Sequence, residues 1–177
     1  MNYRTLQFVF AVALIAFGLS QAAMAQGTNC TGLPGIDWDI QIGDCTAALQ
    51  SGKYNNENLA ILLTNRGNAY RNKDQYDRAI QDYNQAIKLN PKDSFPFNNR
   101  GNAYFNKGQY DRAIQDYNQA IKLNPTFAMA FNGRGAAYAG KGQFDNAIRD
   151  YDQAIKLNPS FELAIKNRTD AIANKNK

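Results

Sequence analysis

Apolar and small residues recur three and four positions apart through most of the second half of the chain. Phe97, Gly101 and Tyr104 are followed, after a short polar break, by a second such group that includes Ala113 and Tyr117. This spacing puts the side chains on one face of a helix and leaves the opposite face polar. The pattern therefore predicts pairs of amphipathic helices, with a turn between the two helices of each pair.

The helix pairs repeat with a fixed period of 34 residues. Residues 66–91 and 100–125 differ only at Arg71/Phe105 and Asp74/Gly108, and residues 134–159 differ from the second copy at seven positions. A period of this length indicates stacked repeats, and stacked repeats build extended concave surfaces. The pattern thus favours a binding protein over an enzyme.

Turn-forming residues separate the predicted helices. Gly108 and Gly142 suit a left-handed turn between the two helices of a pair, and Asp74 is a tolerated substitute in the first copy. A proline follows each second helix, where it ends the helix and starts the link to the next unit: Pro91, Pro125 and Pro159.

The repeat resembles the tetratricopeptide repeat, a helix–turn–helix unit. With each proline counted as position 32, the repeats span residues 60–93, 94–127 and 128–161. All three have the family's large residue at position 4, small residue at 8, aromatic at 11, alanine at 20 and 27, and an aromatic at 24. The resemblance implies an all-α tetratricopeptide helix–turn–helix solenoid.

Position 7 departs from the family, which usually has leucine there. This chain has arginine instead, and an aspartate recurs at position 23. We expect partly buried Arg–Asp pairs between the helix layers, within a repeat or to its neighbour. The alternative is that each arginine lies along the helix surface with its charge in solvent. The residues concerned are Arg66, Arg100 and Arg134, with Asp82, Asp116 and Asp150.

Residues 1–25 have the pattern of a secretory signal peptide. Arg4 precedes an apolar run of twelve residues, Phe8–Leu19, and Ala23-Met24-Ala25 forms a small-residue cleavage pattern before Gln26. The run is shorter than the roughly 20 residues that span a bilayer, which disfavours the alternative of an uncleaved anchor. No later segment is apolar enough to span a membrane. We therefore expect an exported protein, periplasmic or secreted, and of bacterial type.

Cys30 and Cys45 are the two cysteines of the chain, and in an exported protein we expect them to form a disulfide. Closing this loop should raise the free energy of unfolding by about 3 kcal/mol. The segment Ile42–Leu49 aligns with Ile80–Ile87, so it resembles the second helix of a repeat without its first helix. Residues 26–56 are predicted to form a disulfide-linked N-terminal cap over this half-repeat, with residues 51–56 as linker.

Residues 57–177 form the predicted repeat domain, whose last helix is 162–175. This helix continues the register but has Thr169 at position 8 and Ile172 at position 11. We expect it to be a capping helix with a polar outer face, as the exposed end of a repeat array requires.

Composition argues against catalysis and against nucleic-acid binding. The chain contains no histidine, so the usual general base and the familiar catalytic triads are absent. Two thiols cannot complete a zinc site, and no phosphate-binding glycine loop is present, so we expect no metal and no cofactor. Without residues 1–25 the charge is +4, from 19 basic and 15 acidic residues spread over the repeats. Such a distribution lacks the basic stripe that nucleic-acid binding requires.

The resemblance implies a binding groove along the first helix of each repeat, chiefly at positions 2, 5, 9, 12 and 13. The asparagine amides could pair with the backbone of an extended peptide, and the aromatic rings could accept its apolar side chains. The third repeat carries small residues there, Ala136, Ala139 and Gly140, which could also make room for the C-terminal helix. The predicted groove residues are Thr64, Asn68, Arg71, Asn72, Phe95, Asn98, Asn102, Phe105, Asn106, Met129 and Asn132, together with Ile61.

The family's known carboxylate clamp, which holds acidic C-termini of chaperones, has lysine at position 5. Thr64, Asn98 and Asn132 stand at this position here, which disfavours that mode. The expected function is a non-catalytic scaffold that binds a protein or peptide in the groove. The alternatives are a self-associating structural subunit and an accessory factor of an envelope enzyme complex.

Overall fold

The computed structural model describes Cys30 and residues 37–176 of the protein, and the described residues form eight α-helices without strands. The predicted all-α fold is confirmed. The predicted signal peptide, residues 1–25, lies outside the described residues. None of the described helices is long and apolar enough to cross a membrane. The helices are α1 (Trp38–Gln50), α2 (Asn56–Asn72), α3 (Tyr76–Leu89), α4 (Ser94–Asn106), α5 (Tyr110–Leu123), α6 (Ala128–Gly140), α7 (Phe144–Leu157) and α8 (Glu162–Lys175).

Consecutive helices pack against each other along the whole array, as a solenoid requires. The hairpins α2–α3, α4–α5 and α6–α7 are the three repeats, and each second helix also contacts the first helix of the following unit. The turns inside the hairpins have the predicted left-handed residue, with φ of 58° at Asp74, 70° at Gly108 and 72° at Gly142. The C-terminal helix has the predicted bounds.

The core of each repeat is an aromatic ring packed on a glycine. A Cβ atom added to Gly101 would lie 2.8 Å from Cε1 of Tyr117, and the same contact recurs in the other two repeats. Ala113 and Ala120 flank this tyrosine and are fully buried. Position 8 therefore needs glycine because the tyrosine at position 24 occupies the space of a side chain.

The predicted Arg–Asp pairs are confirmed, and each lies within one repeat. Arg100 donates from Nε and Nη2 to the two carboxylate oxygens of Asp116, at 2.8 and 2.6 Å. Arg66–Asp82 and Arg134–Asp150 have the same bidentate geometry. The arginine side chains are 18–20% exposed and the aspartates 4–9%. These pairs join the two helices of a repeat across a largely buried interface.

The same arginines also contact the preceding unit. The remaining nitrogen Nη1 of Arg100 donates to Asn84 at 2.5 Å, and that of Arg134 donates to Asn118 at 2.6 Å. The first arginine, Arg66, reaches Thr46 of α1 at 3.1 Å, and Thr46 is the counterpart of Asn84. One guanidinium per repeat thus links three helices and sets the stacking of neighbouring repeats.

The N-terminal helix α1 stands in register with the later second helices. Lys73 pairs with Asp39 of α1 just as Lys107 pairs with Asp77 one repeat later. Cys45 is fully buried at the position that Tyr83 occupies in the first repeat. These contacts give α1 the register of a second helix, and the half-repeat stays a prediction.

Cys30 lies where the missing first helix of this half-repeat would stand. In the second repeat, the amide of Asn99 donates to Asn68 of the preceding first helix. Asn65 holds the equivalent position in the first repeat, and its amide donates to the backbone carbonyl of Cys30 at 2.8 Å. Cys30 is bonded to Cys45 in the structure, with Cα atoms 4.8 Å apart. The placement fits a cap, of which residues 26–29 and 31–36 lie outside the described residues, and the disulfide stays a prediction.

The first repeat begins earlier than its sequence register indicates. Helix α2 starts at Asn56, which the sequence placed in the linker, four residues before Ala60. The reason is a local cap, because the side chain of Asn55 accepts a hydrogen bond from the backbone N–H of Asn58 at 2.9 Å.

Candidate binding groove

The first helices of the repeats form the inner side of the array. Helix α2 contacts α4, α4 contacts α6, and α6 contacts α8, across the second helices that separate them in the chain. Helices that crowd together in this way lie on the concave side of a curved stack. The first helices, which carry the predicted groove positions, therefore line the concave side of the array.

One large apolar side chain per unit stays exposed at position 2 of the first helix. We call these four residues the apolar row. Phe95 is held by an edge-to-face contact with the buried ring of Phe127, at 5.0 Å between centroids. The row extends into the capping helix, since Leu163 continues the 34-residue spacing. Leu163 was not among the predicted groove residues, although the period indicates it. The exposed fractions are 43% for Ile61, 52% for Phe95, 53% for Met129 and 53% for Leu163.

A chain of hydrogen-bonded amides crosses from the first repeat to the second. The hydroxyl of Tyr83 and the amide of Asn99 both donate to Oδ1 of Asn68, at 2.8 and 3.0 Å. The amide of Asn98 donates in turn to Oδ1 of Asn99 at 3.1 Å. Asn99 was not among the predicted groove residues, and the sequence analysis missed its role between the repeats.

Two predicted groove asparagines are buried. Asn98 is 4% exposed and Asn132 is 9% exposed, so they offer little surface to a ligand. Asn132 accepts a hydrogen bond from Asn167 of α8 at 3.0 Å. Within the described residues, Oδ1 of Asn98 has no hydrogen-bond partner, so this amide is under-satisfied.

The other predicted residues lie at the surface or part-way to it. Thr64 donates to the carbonyl of Ala60 at 2.8 Å, and Asn102 accepts from Tyr117 at 2.7 Å. Phe105 packs on Tyr110, with centroids 5.5 Å apart. Arg71 is half-buried, and Asn72 and Asn106 are exposed at the ends of their helices.

Gly140 in the third repeat lies against a ring of the preceding repeat. A Cβ atom added there would lie 2.8 Å from Cζ of Tyr110. Asn106 occupies the same position of the second repeat beside the equivalent Tyr76, so this contact does not explain the change from asparagine to glycine.

Burial controls the ionisation of the side chains beneath the groove. It raises the pKa of Tyr83 and Tyr117 well above the usual value of tyrosine, and that of Tyr151 to about 12. Hydrogen bonding to Asp116 raises the pKa of Arg100, which therefore stays charged. Burial raises the pKa of the Asp116 carboxyl, against the effect of Arg100. The buried tyrosines are thus neutral, and each buried arginine is paired with a carboxylate.

Known proteins match the chain in sequence and in structure. The profile described as "TPR repeat" matches residues 67–108 and 101–142, and the profile described as "Tetratricopeptide repeat" matches 128–161. No curated protein matches the chain at a significant level.

Three solved structures illustrate the structural likeness. The first TPR of Spaghetti (RPAP3) bound to the HSP90 peptide SRMEEVD is 27% identical over 71% of this chain and 100% of that one, with a TM-score of 0.67. The second TPR domain of human RPAP3, in complex with the HSP70 peptide SGPTIEEVD, is 29% identical over 64% of this chain and 95% of that one, with a TM-score of 0.62. The MamA protein is 25% identical over 79% of this chain and 74% of that one, with a TM-score of 0.68.

The profile matches run without a gap from residue 67 to residue 161, more than half of the chain, and the helix pairs, turn residues and ring-on-glycine cores lie at the matching positions. The chain belongs to the tetratricopeptide repeat family.

Proposed function

We propose that this protein is a non-catalytic scaffold whose concave groove binds an extended segment of another protein. The observation that carries the proposal is the apolar row, in which each of the three repeats and helix α8 leaves one large apolar side chain exposed at the same position. Single exposed apolar residues are common, but a row of them along a concave face indicates a binding surface. Side chains of a bound segment would pack between members of the row.

The asparagines beside the row supply polar contacts to a ligand's backbone. The hydroxyls of Tyr83 and Tyr117 donate to the carbonyl oxygens of Asn68 and Asn102, which sets the orientation of both amides. Their NH₂ groups then serve as donors to the carbonyl oxygens of an extended peptide. Such contacts favour a backbone conformation over a particular side-chain sequence.

The charge of the groove favours a ligand of low charge. The RPAP3 domains bind peptides that end in Glu-Glu-Val-Asp, as their descriptions state. Here Thr64, Asn98 and Asn132 occupy the position at which a lysine would face such carboxylates, and Arg71 is the one cation among the predicted groove residues. We therefore propose a weakly charged, apolar-rich segment as the ligand.

Groove binding can be tested with peptides selected from a random library against the mature protein. A Phe95→Ser/Met129→Ser variant should bind the selected peptides at least tenfold more weakly, since it removes the centre of the apolar row, a loss of about 1.4 kcal/mol or more. The matched control is Ile40→Ser, because Ile40 of α1 is equally exposed, at 53%, but lies outside the groove. Affinities are measured by fluorescence anisotropy, with thermal melts to show that all variants are folded. Equal binding by the groove variant and the control would contradict the proposal.

Export and the disulfide form the second part of the proposal. The protein purified from its native host should begin at Gln26, and its two thiols should react with a labelling reagent only after reduction. Reduction should lower the free energy of unfolding by about 3 kcal/mol in the chain-entropy model. Intact mass, thiol labelling and denaturant melts measure the three quantities. An N-terminus at Met1 would contradict export, and thiols that are reactive without reduction would contradict the disulfide.

A further inference from the structure

The outer face of the capping helix α8 differs from the polar surface that the sequence analysis expected. Ile165 and Ile172, at positions 4 and 11 of a first helix, are 43% and 38% exposed. The residues at position 4 of the first two repeats, Leu63 and Phe97, are 4% and 9% exposed because a second helix covers them, and Phe131 of the third repeat is half-buried. In the part of the chain that the structure describes, α8 packs on α7 and α6 and has no second helix of its own.

Arg168 lies between these two isoleucines, at the position of the three paired arginines. Those arginines each bind an aspartate of their own second helix in bidentate fashion and are at most 20% exposed. Arg168 is 45% exposed, and its carboxylate partner is Asp152 of the preceding unit, which Nε reaches at 2.5 Å. Asp152 replaces the asparagine found at this position in the first two repeats, Asn84 and Asn118. Arg168 is thus held at the end face without the carboxylate that a second helix would bring.

In each of the three repeats, a second helix covers the corresponding face of the first helix. In α5 the covering residues are Ala113, Asp116, Tyr117 and Ala120, all buried. The aspartate meets the arginine at position 7, and the alanines let the helices approach closely. The outer face of α8 therefore repeats one half of a contact that is complete in each of the three repeats.

We propose that the outer face of α8, formed by Ile165, Arg168 and Ile172, is a docking surface for one helix of a partner protein. Charge complementarity sets the first requirement, an acidic residue opposite Arg168. Continuity with the repeat interface sets the second, small residues on either side of that acid. Thr169 sets the third: it replaces the glycine on which a tyrosine ring packs, so the residue after the acid must be smaller than tyrosine.

A head-to-tail copy of the same chain fits this surface less well. The copy would have to offer α1, the helix of second-helix type at the other end of the array. The inner residues of α1 are already covered, since Gln41, Cys45 and Ala48 are at most 2% exposed and Cys30 packs in one buried cluster with Cys45 and Ala48. The proposal therefore commits to a different protein, and it does not depend on the function proposed for the groove.

The probe for this surface is a peptide of residues 109–124 that carries Tyr117→Ala, Gln115→Lys and Gln119→Glu. The introduced amine and carboxyl groups are condensed to a side-chain lactam, with loss of water, to keep the peptide helical. The matched control peptide carries Asp116→Asn in addition. Anisotropy titrations against the mature chain should show at least tenfold tighter binding of the aspartate peptide. Arg168→Gln should remove most of this difference between the peptides, whereas Arg168→Lys should keep part of it.

Three further measurements test whether binding takes place on the outer face of α8 and whether a second copy of the chain occupies it. An Ile165→Ser/Ile172→Ser variant, shown by thermal melts to be folded, should lose binding of both peptides, whereas the groove variant Phe95→Ser/Met129→Ser should bind them normally. Equal affinity of the two peptides, no binding of either, or loss of binding in the groove variant would overturn the proposal. Sedimentation of the unliganded protein tests whether a second copy of the chain occupies this face instead. A dimer that Ile172→Ser dissociates would show that it does and would overturn the proposal.

Discussion

Replacing Asp116 with alanine should lower the free energy of unfolding by about 3 kcal/mol, because it leaves the Arg100 guanidinium charged in a partly buried site. The side chain of Asp116 is 8% exposed and that of Arg100 is 19% exposed, so water replaces little of the lost contact. The pair joins α4 to α5, and Arg100 also reaches Asn84 of the preceding repeat. Urea denaturation of the mature protein measures the effect.

Two controls separate the buried pair from charge in general. Asp170→Ala breaks the exposed pair with Lys166, whose side chains are 57% and 73% exposed, and should change stability by less than about 0.5 kcal/mol. Replacing both partners, as Arg100→Met with Asp116→Leu, should restore much of the loss, since an apolar pair avoids the cost of burying charge. An equal effect of Asp116→Ala and Asp170→Ala would show that the buried pair contributes no more than a surface one.

Stability should fall steeply as the pH rises above 10. Tyrosines of the unfolded chain ionise near pH 10. Burial raises the pKa of Tyr83 and Tyr117 in the folded protein, so the folded state keeps two protons that the unfolded state loses. Their stabilising contribution is complete below the unfolded pKa and is lost as the pH rises towards the folded pKa. Two such protons correspond to a slope of about 3 kcal/mol per pH unit.

The measurement is a series of urea melts between pH 8 and pH 12, compared with a Tyr83→Phe/Tyr117→Phe variant. The variant should be less stable at pH 8, by about 1 kcal/mol for each lost hydrogen bond to Asn68 and Asn102. Its stability should then fall less steeply with pH, because its two rings cannot ionise. The lysines titrate in this range in both proteins, so the difference between the two slopes is the readout. Parallel slopes would contradict the assignment to these two tyrosines.

The pairing inside each repeat could be predicted from the sequence because it is local. Arg100 and Asp116 are 16 residues apart, on two helices joined by a tight turn, and the same spacing recurs in all three repeats. The turn residues and the glycine beneath each tyrosine follow from the same local geometry. The bounds predicted for the last helix agree with those in the structure as well, because its register continues that of the repeats.

The exposure of the groove residues could not be predicted in the same way. Asn98, Asn102 and Asn132 look alike in the sequence, yet two are buried and one is only partly so. Their environment depends on neighbouring first helices, as the bond from Asn167 to Asn132 shows. The contact of Gly140 with the ring of Tyr110 likewise could not be predicted, because it joins two different repeats.

The sequence by itself determined the period, the helix pairs and the pairing within each repeat, because these depend on residues close together in the chain. The tertiary structure decided which side chains remain available to a ligand. Contacts between successive first helices buried two predicted asparagines, left the apolar row exposed and extended it to Leu163. It also decided that the outer face of α8 is apolar around Arg168, because residues of a first-helix pattern stay exposed wherever no second helix packs on them.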